Sequence, residues 1–171
     1  MQKLAIIPCT LTSVRIAALP LLFYLYSFGN PSVVLFLFLF LGATDLLDGY
    51  LARRLKVNSE AGAFFDATAD FTLILGMFLL FTDAGLYPIW ISGLIIFAFA
   101  QFVFSSLLSR KLYDPVGKYY GSFLYAAVAL TLAFPTQAVC SIVVVSFAVF
   151  AAVSLASRVA HFTGILHIKD V

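Results

Sequence analysis

Six apolar segments of helix-forming length follow one another along this chain, and only short polar stretches separate them. A helix of about 20 apolar residues crosses a hydrocarbon layer about 30 Å thick. Because 63% of the 171 residues are hydrophobic and only 11% are charged, the polar side chains are too few to cover a water-soluble globule. We therefore predict an all-α polytopic membrane protein with six transmembrane helices, at about residues 12–28, 33–55, 61–81, 88–108, 118–134 and 137–163.

The distribution of positive charge predicts how these helices are oriented. Turns are predicted at residues 29–32, 82–85 and 135–137, three connections that contain no Lys or Arg. All ten basic residues are predicted at the opposite helix ends or near the termini. Since Lys and Arg are retained on the cytoplasmic side, both termini are predicted to be cytoplasmic. We expect a single domain over residues 1–171, with an N-terminal juxtamembrane segment at about 1–11. A cleaved signal peptide is the alternative, but Arg15 and Pro20 interrupt the apolar region that it needs.

Four aspartates lie inside two adjacent predicted helices, Asp45 and Asp48 on the second and Asp66 and Asp70 on the third. Ionisable groups at such depth are costly and normally face an interior cavity. Spacings of three and four residues place each pair on one helix face. Counted from the predicted cytoplasmic helix ends, all four lie at similar depth, so the carboxylates are expected to share one layer of the membrane.

Carboxylates crowded in this way need a cationic partner, because they repel one another when ionised. Arg53 and Arg54 supply part of that charge, and an oxygen-only set of ligands suits Mg²⁺ or Mn²⁺ better than zinc. Two ions held about 4 Å apart form a clamp used on phosphates that undergo displacement. Gly49, Ala52 and Gly62 leave room for a ligand beside the acids, although small residues suit helix packing equally well.

The residues of this segment follow the pattern Asp45-x2-Asp48-Gly49-x2-Ala52-Arg53-x8-Gly62-x3-Asp66-x3-Asp70. The pattern resembles the full signature of the CDP-alcohol phosphatidyltransferases, and the six-helix arrangement is similar to that family over nearly the whole chain. The resemblance implies an enzyme of phospholipid synthesis that transfers a phosphatidyl or archaetidyl group from a CDP-linked lipid to a small alcohol and releases CMP.

The resemblance also implies roles for individual residues. Asp70 is implied as the catalytic general base and as a contact of the second metal ion. The implied metal ligands are Asp45, Asp48, Asp66 and Asp70, and the implied contacts of the CDP-lipid are Thr12, Gly49, Ala52, Arg53, Ser59 and Gly62.

The alcohol that accepts the group is less narrowly specified. The stretch from Pro8 to Arg15 is similar to the opening of phosphatidylglycerophosphate synthases, but Cys9 replaces their usual Asn and Phe71 replaces a usual Lys. A phosphorylated acceptor such as glycerol 3-phosphate is favoured by basic residues that we expect to contact its phosphate. Inositol phosphate and serine remain alternatives, as does a simple role in membrane orientation for the basic residues, which are Arg110, Lys118 and Arg158.

The expected partners are CDP-diacylglycerol or CDP-archaeol, the acceptor, membrane lipid and a second copy of the chain, with no nucleic acid. The expected location is the cytoplasmic membrane, with the active site facing the cytoplasm. A cation transporter or channel is the rival hypothesis, since intramembrane carboxylates also mark ion pathways. It is disfavoured because all four aspartates lie toward one side of the membrane.

Overall fold

A computed structural model describes residues 2–54, 60–109 and 115–162, with side chains described at 14–44, 64–103, 121–153 and 156. These backbone ranges form six α-helices, which confirms the predicted number of helices within them. The helices are α1 Gln2–Ser27, α2 Pro31–Arg54, α3 Glu60–Asp83, α4 Trp90–Ser109, α5 Pro115–Ala133 and α6 Gln137–Phe162.

Helix α1 begins at Gln2, about ten residues before the apolar run that predicted it. An apolar run shows which part of a helix can be buried in lipid, whereas the helix itself extends wherever backbone hydrogen bonding continues. Polar residues such as Thr10 and Thr12 lower helix propensity only slightly. As a result, Arg15 lies in the middle of α1 and is only 3% exposed, which corrects its predicted position near a helix end.

Glycines with positive φ terminate the first and third helices. Gly29 has a φ of 73° and precedes Pro31, the first residue of α2, where a missing N–H costs nothing. Gly85 has a φ of 75°, and the backbone N–H of Leu86 donates to the carbonyl of Phe81 at 2.9 Å. This six-to-one hydrogen bond is the Schellman arrangement that ends a helix. Both predicted turns are therefore confirmed.

Thr136 caps the N-terminus of α6, which begins at Gln137. Its hydroxyl oxygen accepts a hydrogen bond from the N–H of Val139 at 3.4 Å, and its carbonyl accepts one from the N–H of Cys140 at 3.0 Å. A threonine cap satisfies one of the N–H groups that have no partner within the helix. The predicted turn at Pro135-Thr136-Gln137 is confirmed as the connection from α5 to α6.

Helix α3 lies at the centre of the bundle and contacts α1, α4 and α5. Phe78 anchors its C-terminal half, with ring centroids 5.4 Å from Tyr87 and 6.5 Å from Phe147 of α6. The Tyr87 hydroxyl lies 2.7 Å from that of Thr131, near the end of α5. Burial raises the pKa of Tyr87 to about 12, so the hydroxyl stays neutral and keeps this hydrogen bond at physiological pH.

Large apolar side chains cover the outside of the bundle. Phe36 is 75% exposed and Val145 is 62% exposed, although each lies well inside its helix. Many exposed apolar side chains of this kind are consistent with a membrane protein. By length and composition one described helical segment, Phe64–Asp83, can cross a membrane, and the described apolar portions of the other helices are shorter.

Candidate active site

A cavity of about 470 Å³ opens between α1, α2, α3 and α5. Its walls combine one ion pair with small and apolar residues. The lining residues are Arg15, Leu39, Gly42, Ala43, Asp70, Ile74, Gly121, Ser122 and Tyr125. A volume of this size accommodates part of a small-molecule ligand.

The charged part of the wall is a salt bridge between α1 and α3. Nη1 of Arg15 donates to Oδ1 of Asp70 at 2.6 Å. The two side chains differ in exposure, at 4% for Arg15 and 38% for Asp70. The guanidinium is therefore enclosed by the helices, while part of the carboxylate remains accessible beside the cavity.

Asp66 lies one turn before Asp70 on α3, and both side chains are half-buried. Ala69, between them in sequence, is 1% exposed and belongs to the core. Because residues four apart share a helix face, the two carboxylates lie along the same side of α3. The predicted pairing of these aspartates on one face is consistent with this helix.

The predicted aspartates of α2 follow, along the chain, the residues of that helix that line the cavity. Leu39 and Gly42 line the cavity. Asp45 and Asp48 follow Gly42 by three and six residues, within the described backbone of α2. Their side chains lie outside the described set.

Three of the four cavity helices run in the same direction. Contacts between α1 and α3 join Arg15 to Asp70 and Tyr26 to Phe81, whose ring centroids are 6.0 Å apart. The residue separation is the same in both pairs, so α1 and α3 are parallel. Helix α5 is parallel to them, because Thr131 near its end meets the loop that follows α3.

These directions bring predicted site residues to one end of the cavity. Helix α2 returns from α1 through a short turn and therefore runs oppositely. Thr12 precedes Arg15 by one turn, Lys118 precedes Gly121 and Ser122 by one turn, and Asp45 follows Gly42 by one turn. From their helix positions, all three lie toward the same end of the cavity as Asp66.

Tyr125 forms the wall opposite α2 at close range. Its hydroxyl donates to the carbonyl of Phe38 at 2.6 Å, and its ring stacks on that of Phe38 with centroids 4.2 Å apart. A Cβ atom added to Gly42 would overlap the Tyr125 hydroxyl. The absence of a side chain at Gly42 therefore allows α5 to approach α2 at this point.

The described side chains give a partial test of the predicted metal site. Among them no group of three His, Cys, Asp or Glu side chains converges, and this set includes Asp66 and Asp70 but neither Asp45 nor Asp48. The oxygen donors among the lining residues are the Asp70 carboxylate and the hydroxyls of Ser122 and Tyr125, and the lining includes no imidazole or thiol. This donor chemistry fits Mg²⁺ or Mn²⁺.

The structure describes the other predicted site residues only in part or not at all. Ser59 and Arg110 lie outside the described residues. The remaining predicted contacts have a described helical backbone without a described side chain; they are Gly49, Ala52 and Arg53 of α2, Gly62 of α3 and Arg158 of α6.

Phe71, which replaces the lysine of the family resemblance, faces α4. Its ring stacks on Phe99 with centroids 3.9 Å apart and an interplanar angle of 10°. The residue after Asp70 thus contributes to packing between α3 and α4. This contact explains physically why an aromatic side chain suits the position.

The prediction from sequence did not identify Arg15 and Tyr125 as parts of the site. A single arginine within a stretch of apolar residues was the available signal for Arg15, and it also closes the N-terminal stretch that begins at Pro8. No comparable signal distinguished Tyr125 from the other aromatic residues of the chain.

Comparison with known proteins matches residues 5–167 to the model of the CDP-alcohol phosphatidyltransferase family. A cardiolipin synthase (CMP-forming) / mitochondrial hydrolase fusion protein of Schizosaccharomyces pombe is 30% identical over 80% of this chain and 23% of its own length. CDP-diacylglycerol--glycerol-3-phosphate 3-phosphatidyltransferases of Arabidopsis thaliana and Haemophilus influenzae are 38% and 36% identical, over 46% and 45% of this chain. These two matches cover 28% and 43% of the relatives, so the chain spans less than half the length of each of the three.

Proposed function

This chain belongs to the CDP-alcohol phosphatidyltransferase family, and we propose that it transfers a phosphatidyl group from a CDP-linked lipid to glycerol 3-phosphate and releases CMP. The observation that carries the proposal is the cavity beside Asp70. Four helices line it, and each carries, about one turn further toward one end, a residue implied by the family resemblance or expected at the acceptor phosphate: Thr12, Asp45, Asp66 and Lys118.

The proposal includes a membrane arrangement. Six helices cross the cytoplasmic membrane as one domain of residues 1–171, and both termini and the aspartate end of the cavity face the cytoplasm. The charge distribution along the chain supports this orientation. The apolar exterior supports burial in lipid, since Phe36 and Val145 would be costly to expose to water.

The nucleotide end of the lipid substrate binds at the cytoplasmic end of the cavity in this proposal. Gly49, Ala52 and Gly62 leave space for the CDP group, while Arg53 and Ser59 contact it and Thr12 reaches the nucleotide. Glycine and alanine on adjoining helix faces permit close approach of a ligand to the backbone.

Asp70 is the proposed general base. The acceptor hydroxyl oxygen attacks the phosphorus that carries the lipid, a new P–O bond forms, and the bond to the CMP oxygen breaks. The hydroxyl proton passes to the Asp70 carboxylate, which must lie within hydrogen-bond reach. Partial exposure of Asp70 beside the cavity supports this role, because the acceptor needs direct access to the carboxylate.

Asp45, Asp48, Asp66 and Asp70 are the proposed holders of two divalent ions, Mg²⁺ or Mn²⁺. Bound ions of this kind neutralise the pyrophosphate and stabilise the charge that develops on the reacting phosphate and the leaving CMP. The aspartates keep the ions on the same side of the cavity as the nucleotide.

Glycerol 3-phosphate is the proposed acceptor because relatives named CDP-diacylglycerol--glycerol-3-phosphate 3-phosphatidyltransferase align with this chain. Lys118, Arg110 and Arg158 are the proposed contacts of its phosphate. Lys118 has the best structural support, since it lies one turn from two residues that line the cavity. Inositol phosphate and serine are the alternative acceptors.

The lipid tails are those of CDP-diacylglycerol or CDP-archaeol, and the proposed assembly is a homodimer. Exposed apolar residues on α3 and α4, among them Leu79, Ile96 and Phe97, are candidate contacts between the two copies. Mass measurement of the protein in lipid nanodiscs tests this assembly.

The test is CMP release by the purified protein in vesicles that contain CDP-diacylglycerol, with Mg²⁺ or Mn²⁺ and one acceptor at a time. We expect the highest rate with glycerol 3-phosphate. Faster release with inositol phosphate or serine would overturn the acceptor assignment, and no release with any acceptor would overturn the reaction.

The same vesicles test the transporter hypothesis. They are sealed around a metal-sensitive dye, and cation entry is followed without CDP-lipid. We expect no entry above that of protein-free vesicles. Entry that depends on Asp70 would favour a transporter instead.

A further inference from the structure

The two partners of the salt bridge between Arg15 and Asp70 are buried to very different extents. Arg15 is almost fully enclosed, whereas more than a third of the Asp70 side chain is exposed beside the cavity. Neighbouring residues of α1 face outward, with Val14 53% and Ile16 39% exposed. The guanidinium therefore meets Asp70 from inside the bundle, although Arg15 is also one of the residues that line the cavity.

Stability alone does not account for this arrangement. Burying a guanidinium removes its hydration, and apolar residues of similar volume often stabilise a protein as well as a buried ion pair does. An aliphatic residue at position 15 would continue the apolar character of α1 without that cost. The pairing is better explained by what it does to the carboxylate.

Close packing between α1 and α3 sets the register that brings the pair together. Leu19, one turn beyond Arg15, packs against Gly76, where an added Cβ would lie 2.6 Å from the leucine Cδ2. Further along, the ring of Tyr26 contacts that of Phe81. These contacts fix the axial position of α1 relative to α3, and Arg15 is therefore held opposite Asp70.

We propose that Arg15 is a positioning residue that holds the Asp70 carboxylate in the orientation needed to accept the proton of the acceptor hydroxyl. This inference rests on the proposed function and assigns a role to a residue outside the aspartate pattern of residues 45–70. Arg15 acts through Asp70 and does not contact the reacting atoms. Arginine suits the task because its planar fork is rigid and permanently charged, while lysine provides charge without the same geometry.

The kinetic test compares Arg15→Met, which keeps an unbranched side chain and removes the charge, with Arg15→Lys. Rates are expressed per folded enzyme, with the folded fraction measured by size-exclusion chromatography. We expect Arg15→Met to lower kcat about 100-fold, the loss typical of a misplacement of about 1 Å at a reacting group. The KM values for both substrates should change by less than about threefold, and Arg15→Lys should restore part of kcat.

Thr131→Val is the matched control. It removes a buried hydrogen bond at the opposite end of the bundle, so it lowers stability without approaching the cavity. We expect its kcat per folded enzyme to equal that of the wild type. If Arg15→Met likewise left kcat per folded enzyme unchanged, Arg15 would have a structural role only. If Arg15→Met raised KM with unchanged kcat, Arg15 would bind a substrate instead.

A second measurement separates failure of this inference from failure of the proposed function. Thermal unfolding is recorded in EDTA for Arg15→Met, Asp70→Asn and the double variant, whether or not any of them is active. We expect the Tm of the double variant to fall by less than the two single shifts combined, because either single change already breaks the pair. Additive shifts would overturn the pairing, whereas an inactive wild type with non-additive shifts would overturn only the reaction.

Discussion

Substitution of Gly42 by alanine tests the close contact between α2 and α5 that forms one wall of the cavity. A Cβ at this position would overlap the Tyr125 hydroxyl and lie 2.7 Å from Cε1 of its ring. Tyr125 must therefore move. It cannot move without weakening both its hydrogen bond to the Phe38 carbonyl and its stacking on the Phe38 ring.

The expected cost follows from those two contacts. A hydrogen bond of this type contributes about 1 kcal/mol, and an aromatic pair contributes about 1 kcal/mol beyond its buried area. Alanine favours the helix over glycine by about 1 kcal/mol, so the net loss in Gly42→Ala is about 1 kcal/mol. Gly121→Ala is the matched control on α5, because an added Cβ there meets nothing within 4 Å. The two variants should differ by about 2 kcal/mol, or about 30-fold in the unfolding equilibrium.

Reversible unfolding in mixed micelles, followed by circular dichroism, measures this difference. A third variant isolates its cause, since Gly42→Ala placed in a Tyr125→Leu background should cost much less than it does alone. Equal stability of Gly42→Ala and Gly121→Ala would refute the reasoning, because Tyr125 would then be able to move aside without cost. A full penalty in the Tyr125→Leu background would place the clash elsewhere.

Three further predictions concern the proposed chemistry. Asp70→Asn should lower kcat about 1,000-fold, as expected for loss of a general base, while calorimetry should still detect binding of CDP-diacylglycerol; wild-type turnover would contradict the assignment. Arg53→Ala should raise the KM for the CDP-lipid about tenfold through loss of a charge-assisted hydrogen bond, and an unchanged KM would argue against that contact. Removal of divalent ions with EDTA should abolish CMP release and added Mg²⁺ or Mn²⁺ should restore it; activity that persists in EDTA would exclude the proposed role of the aspartates.

The aspartates show how far local spacing predicts the site. Residues three or four apart lie on one helix face in any α-helix, so the pairs on α2 and α3 follow from numbering once the helices exist. Asp66 and Asp70 occupy such a face of α3 and Asp70 borders the cavity. Whether Asp45 and Asp48 complete a metal site with them stays a prediction.

Arg15 shows where prediction from sequence stops. Its charge and its place within an apolar stretch were visible, but its partner lies 55 residues away on another helix. That pairing depends on the axial position of α1 relative to α3, which is fixed where Leu19 packs against Gly76. Sequence spacing within one helix carries no information about the axial position of that helix relative to another, because contacts between separate helices set it.

Local chemistry determined the number of helices, their approximate limits apart from the start of α1, and the turns at Gly29, Gly85 and Thr136, because apolar length and backbone preference act within a few residues. Tertiary structure alone decided that Tyr125 packs over Gly42 and that Arg15 meets Asp70. Both contacts arise where distant segments approach, and their geometry depends on how whole helices fit against one another.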